Sequence, residues 1–211
     1  MNDRYLIINE EIWQPYVTFM IFCSLAMIIS TPSPYSIESG ASTDLFINNP
    51  LFFFIYLASS AVFGLNMGAI SKKRQEEGSL LLLNNLGRLI LINTICIPLF
   101  IFQRALYPGR IGFFPLIALY GIVTGLLFCG ISIILEDDRV LGVSQGFILK
   151  YFLLAAFFFS PKGMLSAMTS IRGLLLGGSA HGFYLDILVA MGLTVTIWYI
   201  LLRNVRRAED D

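Results

Sequence analysis

The chain has 211 residues, of which 56% are hydrophobic and 13% charged, about half the charged fraction of an ordinary soluble domain. Basic and acidic residues balance at 14 each, so the protein carries no net basic field of the kind that draws nucleic acid, and nucleic acid is excluded as a partner. A bilayer core about 30 Å thick takes ~20 mostly apolar residues per helix. About six apolar blocks of that order, joined by short connections, use up nearly the whole chain and leave no room for a separate soluble domain. The expected fold is an all-α integral membrane bundle.

Residues 1–16 carry acidic side chains and no cleavage-site pattern, so the first apolar block is expected to be a retained span and not a signal peptide. That span covers about 15–31 and is stopped by Thr31-Pro32-Ser33-Pro34, where proline removes a helix donor. A polar loop with Glu38 and Asp44 leads into a second span at about 50–70. It halts at Ser71-Lys72-Lys73-Arg74-Gln75-Glu76-Glu77, a run expected in water. A third span at about 88–104 and a fourth at about 111–135 form a hairpin around Tyr107-Pro108-Gly109. The fourth closes at Glu136-Asp137-Asp138-Arg139. A fifth at about 141–160 stops at Pro161-Lys162-Gly163, and a sixth at about 183–202 ends in the charged tail that begins at Arg203.

Lysine and arginine favour cytoplasmic loops. With both termini inside, the inner side holds Arg4, Lys72, Lys73, Arg74, Arg88, Arg139, Arg203, Arg206 and Arg207, against Arg104, Arg110, Lys162 and Arg172 outside. This excess puts both termini in the cytoplasm, and the membrane is expected to be a bacterial inner membrane. The outer segment at about 161–182 is apolar in part, rich in glycine (Gly173, Gly177, Gly178) and interrupted by Arg172. It is too short and too broken to cross and return, which predicts a re-entrant or interfacial helical pair before the last span.

Gly64-x-x-x-Gly68, Gly121-x-x-x-Gly125 and Gly142-x-x-x-Gly146 each set two glycines on one helix face, where backbones can approach closely in lipid. Packing within the chain and a seam between two copies both fit. Cys23, Cys96 and Cys129 all lie inside apolar blocks without C-x-x-C spacing and read as small packing residues, not as a metal site or a disulfide framework.

Residues 71–86 combine a charged stretch with Gly78, Ser79 and the apolar run Leu80 to Leu83. A short helix along the membrane surface fits this composition, and so does a solvated loop with a basic anchor. The pattern Arg74-Gln75-Glu76-Glu77-Gly78-Ser79-Leu80-Leu81-Leu82-Leu83 resembles the basic-x-x-Glu-x-Gly-(Ser/Thr)-Leu-x-x-Leu motif of the type-2 family of ABC transporter permeases. That family also has six spans, cytoplasmic termini and a broken helical pair outside before the last span. The resemblance implies an export permease in which Lys72, Lys73, Arg74, Glu76, Glu77, Gly78, Ser79, Leu80 and Leu83 belong to a cytoplasmic coupling helix. That helix would dock on a separate ABC ATP-binding subunit, with ATP and Mg held there and no cofactor on this chain. It also implies a second permease subunit, identical or not. The chain departs from the family in its short N-terminus, where only Asn2 to Gln14 precede the first span and Arg4 to Trp13 could supply a truncated interfacial helix.

Lys150 has two readings: a polar group lining an intramembrane cavity or a dimer contact, or an interfacial residue if the fifth span starts later, near Ile148. Asp186, at the outer start of the sixth span, reads as an interfacial residue or, less commonly for such a position, a proton carrier, and His181, the only histidine, has no ligand-type neighbour at metal spacing. No nucleophile elbow, zinc-protease helix or phosphate loop occurs, so ATP hydrolysis is expected on another polypeptide. An intramembrane lipid- or prenyl-modifying enzyme using Glu136, Asp137 and Asp138 with Mg²⁺, and a membrane assembly factor without transport, are the other readings.

Overall fold

A computed structural model describes residues 14, 17, 18, 20, 21, 25, 51–73, 78–95, 114–135, 143–159 and 181–210, and every one of them is helical. Five helices run through this part: α1 (Leu51–Lys73), α2 (Gly78–Ile95), α3 (Phe114–Leu135), α4 (Val143–Phe159) and α5 (His181–Asp210). The isolated helical positions between 14 and 25 fall at the start and within the expected first span. The rest of that span, the outer segment at 161–180, and Arg74, Glu76, Glu77 and Glu136 to Asp138 lie outside the described residues.

Contacts between helices fix their directions. Ser60 faces Gly121, Gly64 faces Gly125, and Gly68 faces Cys129 and Ser132, so α1 and α3 run parallel. Thr194 lies beside Val123, and Trp198 beside Leu126, so α5 is parallel to both. Tyr56 pairs with Asn93 and Ser71 with Asn85, which makes α2 antiparallel to α1. Gly146 abuts Leu135 while Phe157 meets Phe128 and Tyr120, so α4 is antiparallel to α3. The directions of the five described helices alternate along the chain.

At the centre stands α3, against which all four other helices pack. Its second residue is Pro115, tolerated there because the first-turn N–H it lacks has no partner inside the helix. Four glycines let neighbouring backbones close in. A Cβ on Gly64 would collide with the carbonyl of Gly125, and one on Gly68 would lie 2.5 Å from the Cys129 oxygen and 2.6 Å from the Ser132 Cβ. On the other side of the seam, Gly121 meets the Tyr56 phenol and Gly125 the Leu89 side chain. Both glycine pairs are therefore used inside the chain. The third pair is half described: Gly146 packs against the last carbonyl of α3, that of Leu135, and Gly142 lies outside the described residues.

The α3–α5 contact is sealed by Trp198, whose buried indole N–H donates to the Leu126 carbonyl at 3.1 Å. Beside it, Gly130 leaves room for Ile197 and Trp198. The Thr194 hydroxyl donates to Ala190 at 2.7 Å and reaches Val123 at 3.4 Å. Phe157 brings α4 in, meeting Phe128 edge-on with centroids 5.5 Å apart, an arrangement that aligns a positive ring edge with a negative face.

Among the described residues, two helices are long and apolar enough to cross a membrane, at Pro115–Leu135 and Tyr184–Arg203. They differ in exposure: 72% of the most apolar stretch is buried in the first and 33% in the second. On α5 the buried stripe is Ile187, Ala190, Thr194 and Trp198, and the open faces carry Leu188, Met191, Val195, Tyr199 and Ile200. A surface helix of a water-soluble protein turns polar residues outward; one apolar on all faces needs apolar surroundings.

Several boundaries differ from the sequence expectation. The helix at the second span runs on through Ser71 to Lys73, and α2 begins at Gly78 and continues unbroken through the start of the expected third span. Residues 71–86 are thus divided between the end of α1 and the first half of α2. Similarly, α5 continues past the expected end of the sixth span to Asp210.

The seam gives a direct test. Gly64→Val should destabilise the bundle by about 1–3 kcal/mol through forced separation of two backbones. Gly192→Ala, at a site where an added Cβ meets nothing within 4 Å, should be neutral or stabilising by up to ~1 kcal/mol. Thermal unfolding in detergent, followed by tryptophan fluorescence, reads both. Equal effects would contradict the seam.

Candidate functional site

Beneath the connection from α1 to α2 lies a cluster of buried polar side chains. Ser71 closes the buried face of α1, and Asn85 and Arg88, three residues apart, share a face of α2. All three are buried, and Arg88 is only 2% exposed. The Asn85 amide donates to the Ser71 hydroxyl at 2.9 Å and to the Leu81 carbonyl at 2.9 Å. The Arg88 Nη1 donates to the Ser71 Oγ at 3.2 Å and to the Asn85 Oδ1 at 3.3 Å. A guanidinium is planar and rich in donors, so it can grip two helices at once.

Burial is the telling quantity. A charged side chain inside an apolar bundle costs at least about 2.5 kcal/mol at membrane depth, and such residues are commonly tied to function. Arg88 and Ser71 correct the sequence expectation. Ser71 is not part of a solvated run, and Arg88 does not act as a loop charge in the orientation count, because the turn of α2 on which it stands faces the core.

Those of the expected coupling residues that are described stand at the end of α1 and the start of α2, next to this cluster. Lys72 is exposed at the end of α1, and Lys73 is its last residue. Gly78 and Ser79 open α2. Leu80 and Leu83 are exposed while Leu81 is buried, so the start of α2 presents apolar side chains outward before its core-facing stripe takes over.

The second candidate, Lys150, is buried at 8% exposure. Because α4 starts at Val143 and not at Ile148, Lys150 lies about 10 Å along a formed helix. It sits toward the same end of the bundle as the Arg88 cluster, since Gly146 on the preceding turn meets the end of α3.

A second polar layer occupies the opposite half. The Tyr56 hydroxyl donates to Asn93 Oδ1, and the Asn93 amide donates to the Leu89 carbonyl at 2.7 Å. The Ser60 hydroxyl donates to the Gly121 carbonyl at 2.7 Å. Tyr120 lies on the adjoining face of α3, next to Phe157 and within electrostatic reach of Asp186. Asp186, near the start of α5, is covered by the bundle at 6% exposure.

Sequence reasoning passed over Asn85, Arg88 and Asn93 as site residues. A signal was present, because Leu81, Asn85, Arg88, Leu89, Ile92 and Asn93 repeat at helical spacing and all turn out to be buried. No group of three or more metal-type ligands occurs among the described residues. Comparison with protein-family models, with curated protein sequences and with solved structures finds no match to this chain.

The cluster predicts graded losses. Ser71→Ala, which removes one oxygen, should cost about 1 kcal/mol. Arg88→Ala, which strands buried partners, should cost about 3–5 kcal/mol. In a double-mutant cycle the two should fall short of additivity by at least ~0.5 kcal/mol, as residues in one network do. Additive losses in denaturant unfolding would separate Arg88 from Ser71.

Proposed function

We propose that this chain is the membrane-spanning subunit of an ATP-driven export complex of the type-2 ABC class. It would act as a dimer of permease subunits with separate ATP-binding subunits and carry no cofactor of its own. One observation carries the reading: the segment with the family-like motif, Lys72 to Leu83, joins two helices whose adjoining ends are clamped by the buried Ser71–Asn85–Arg88 cluster.

Force applied at a membrane surface moves a bundle only if the loaded element is stiff and anchored. The α1 end and the α2 start meet both needs, since hydrogen bonds from Asn85 and Arg88 hold them to one another and the glycine seam locks α1 to α3. A push on the adjoining ends of α1 and α2 would reach α3, and through Trp198 reach α5. The exposed apolar side chains Leu80 and Leu83 offer a surface for the ATP-binding subunit or for the headgroup region. The apolar open faces of α4 and α5 suit lipid or a second permease subunit. Lys150, buried near the same end, would sit close to the moving parts in either of its two readings. The alternating helix directions fit successive crossings, and the excess of lysine and arginine on one side is what favours cytoplasmic termini.

Reconstitution with the candidate ATP-binding subunit tests the proposal. Gly78→Trp, or the double reversal Glu76→Lys with Glu77→Lys, should abolish permease-stimulated ATP hydrolysis while leaving membrane insertion and thermal stability unchanged. Stimulation equal to that of the unaltered chain would remove the coupling assignment. Failure of the chain to copurify with any protein bearing a phosphate loop would remove the ABC reading as a whole.

A further inference from the structure

One side of α5 is packed on the bundle through Ile187, Ala190, Thr194 and Trp198. At spacings of three and four residues the opposite side carries Leu188, Gly192, Val195, Tyr199 and Arg203, every one of them exposed. Leu188, Val195 and Tyr199 are the most open large apolar side chains of the helix, at 64%, 67% and 63%. Between them Gly192 leaves a notch, since a Cβ there would meet nothing within 4 Å. Beside the notch, the Thr196 hydroxyl donates to the Gly192 carbonyl at 2.8 Å, so this polar group is satisfied within the helix.

The stripe changes character at one end, and the order matches one leaflet of a bilayer. The apolar stretch Tyr184–Arg203 has 20 residues, about 30 Å of helix and the thickness of a hydrocarbon core. Arg203 therefore falls at the edge of the hydrocarbon. From Val195 to Arg203, over ~12 Å of axis, the stripe passes from an aliphatic side chain to a phenol with an apolar ring and a polar tip, and then to a guanidinium. A phospholipid lying along the helix presents acyl chain, glycerol ester and phosphate in the same order. Tyrosine suits the ester and headgroup level, and the planar donors of a guanidinium match a phosphate. No hydrogen bond or ion pair engages Tyr199 or Arg203 among the described residues. Of the acidic residues on α5, Asp186 is buried near the start, and Glu209 and Asp210 stand at least ~9 Å beyond Arg203 along the axis. A second copy meeting this stripe about a two-fold axis would set Arg203 against its own counterpart, like charge on like at the hydrocarbon edge.

We propose that the open stripe of α5 from Gly192 to Arg203 binds an acidic phospholipid. The acyl chain lies along Gly192 and Val195, the glycerol ester is level with Tyr199, and the phosphate rests on the Arg203 guanidinium. A zwitterionic lipid carries its own cation beside the phosphate and gains less from Arg203. The site goes beyond the coupling role assigned above and needs no ATP-binding subunit, so the two readings can fail separately.

Tyr199→Trp places an interfacial indole in the stripe, and its fluorescence above that of the unaltered chain is the local signal. The full chain is placed in vesicles of equal parts phosphatidylglycerol and phosphatidylcholine, in two sets that differ only in which lipid carries a brominated, quenching acyl chain. Quenching should report a preference for phosphatidylglycerol of about fivefold, the factor set by one basic residue at a membrane surface. Added in the same background, Arg203→Gln should bring the two sets level, and Arg203→Lys should keep the preference. Arg203 is exposed, so neither change touches the core. Equal quenching by the two lipids before Arg203 is changed, a preference that survives Arg203→Gln, or an indole that neither lipid reaches, as under a protein partner, would overturn the proposal.

Discussion

The close approach of α1 and α3 is the constraint on which the rest of the bundle depends. Between apolar helices in apolar surroundings there is little to gain from moving hydrocarbon out of water, so association rests on dispersion contact and hydrogen bonding, both of which fall off steeply with separation. Gly64, Gly68, Gly121 and Gly125 remove the side chains that would keep the backbones apart. With α1 seated, Ser60 can reach the Gly121 carbonyl and Tyr56 can reach across to Asn93 of α2. Helix α2 is then held on the other side of the seam by Leu89 against Gly125. Fill any of these positions and several contacts lengthen together.

Around that seam the molecule has two polar layers separated by apolar packing. One, at the end where α1 meets α2, is cationic and made of Ser71, Asn85 and Arg88. The other, in the opposite half, has Tyr56, Asn93, Tyr120 and Asp186. Between them lie Leu57, Leu89, Phe128 and Met67, all buried. This arrangement explains why a buried arginine and a buried aspartate coexist in one bundle without pairing: the helices on which they stand carry them to different levels.

The apolar outer faces of α4 and α5 complete the physical picture. Ile148, Phe152, Leu188, Val195 and Tyr199 are exposed, and on α5 the exposed positions alternate with a buried stripe that is no more apolar than they are. Such a helix has no side that prefers water. Its place in the bundle is set by shape, through Trp198 and the gap left by Gly130, and not by a contrast between polar and apolar faces.

Length and hydropathy alone determine that the described parts of this chain fold as helices and where most of them run, because an apolar block bounded by proline, glycine or charge leaves few other ways to satisfy its backbone. For this reason α3 and α4 lie within a few residues of the expected fourth and fifth blocks, and of these two α3 is long and apolar enough to cross a membrane. The continuation of α1 through Ser71 and the early start of α2 at Gly78 escaped that reasoning. A charged stretch ends a membrane span without ending a helix. The glycine pairs were legible as packing positions, but whether they faced this chain or a second copy was a matter of which helices lie side by side. Only the tertiary structure decided that Arg88, Lys150 and Asp186 are buried. Composition places a charged residue within a block; the neighbour that covers it comes from another helix, at a register no local pattern specifies.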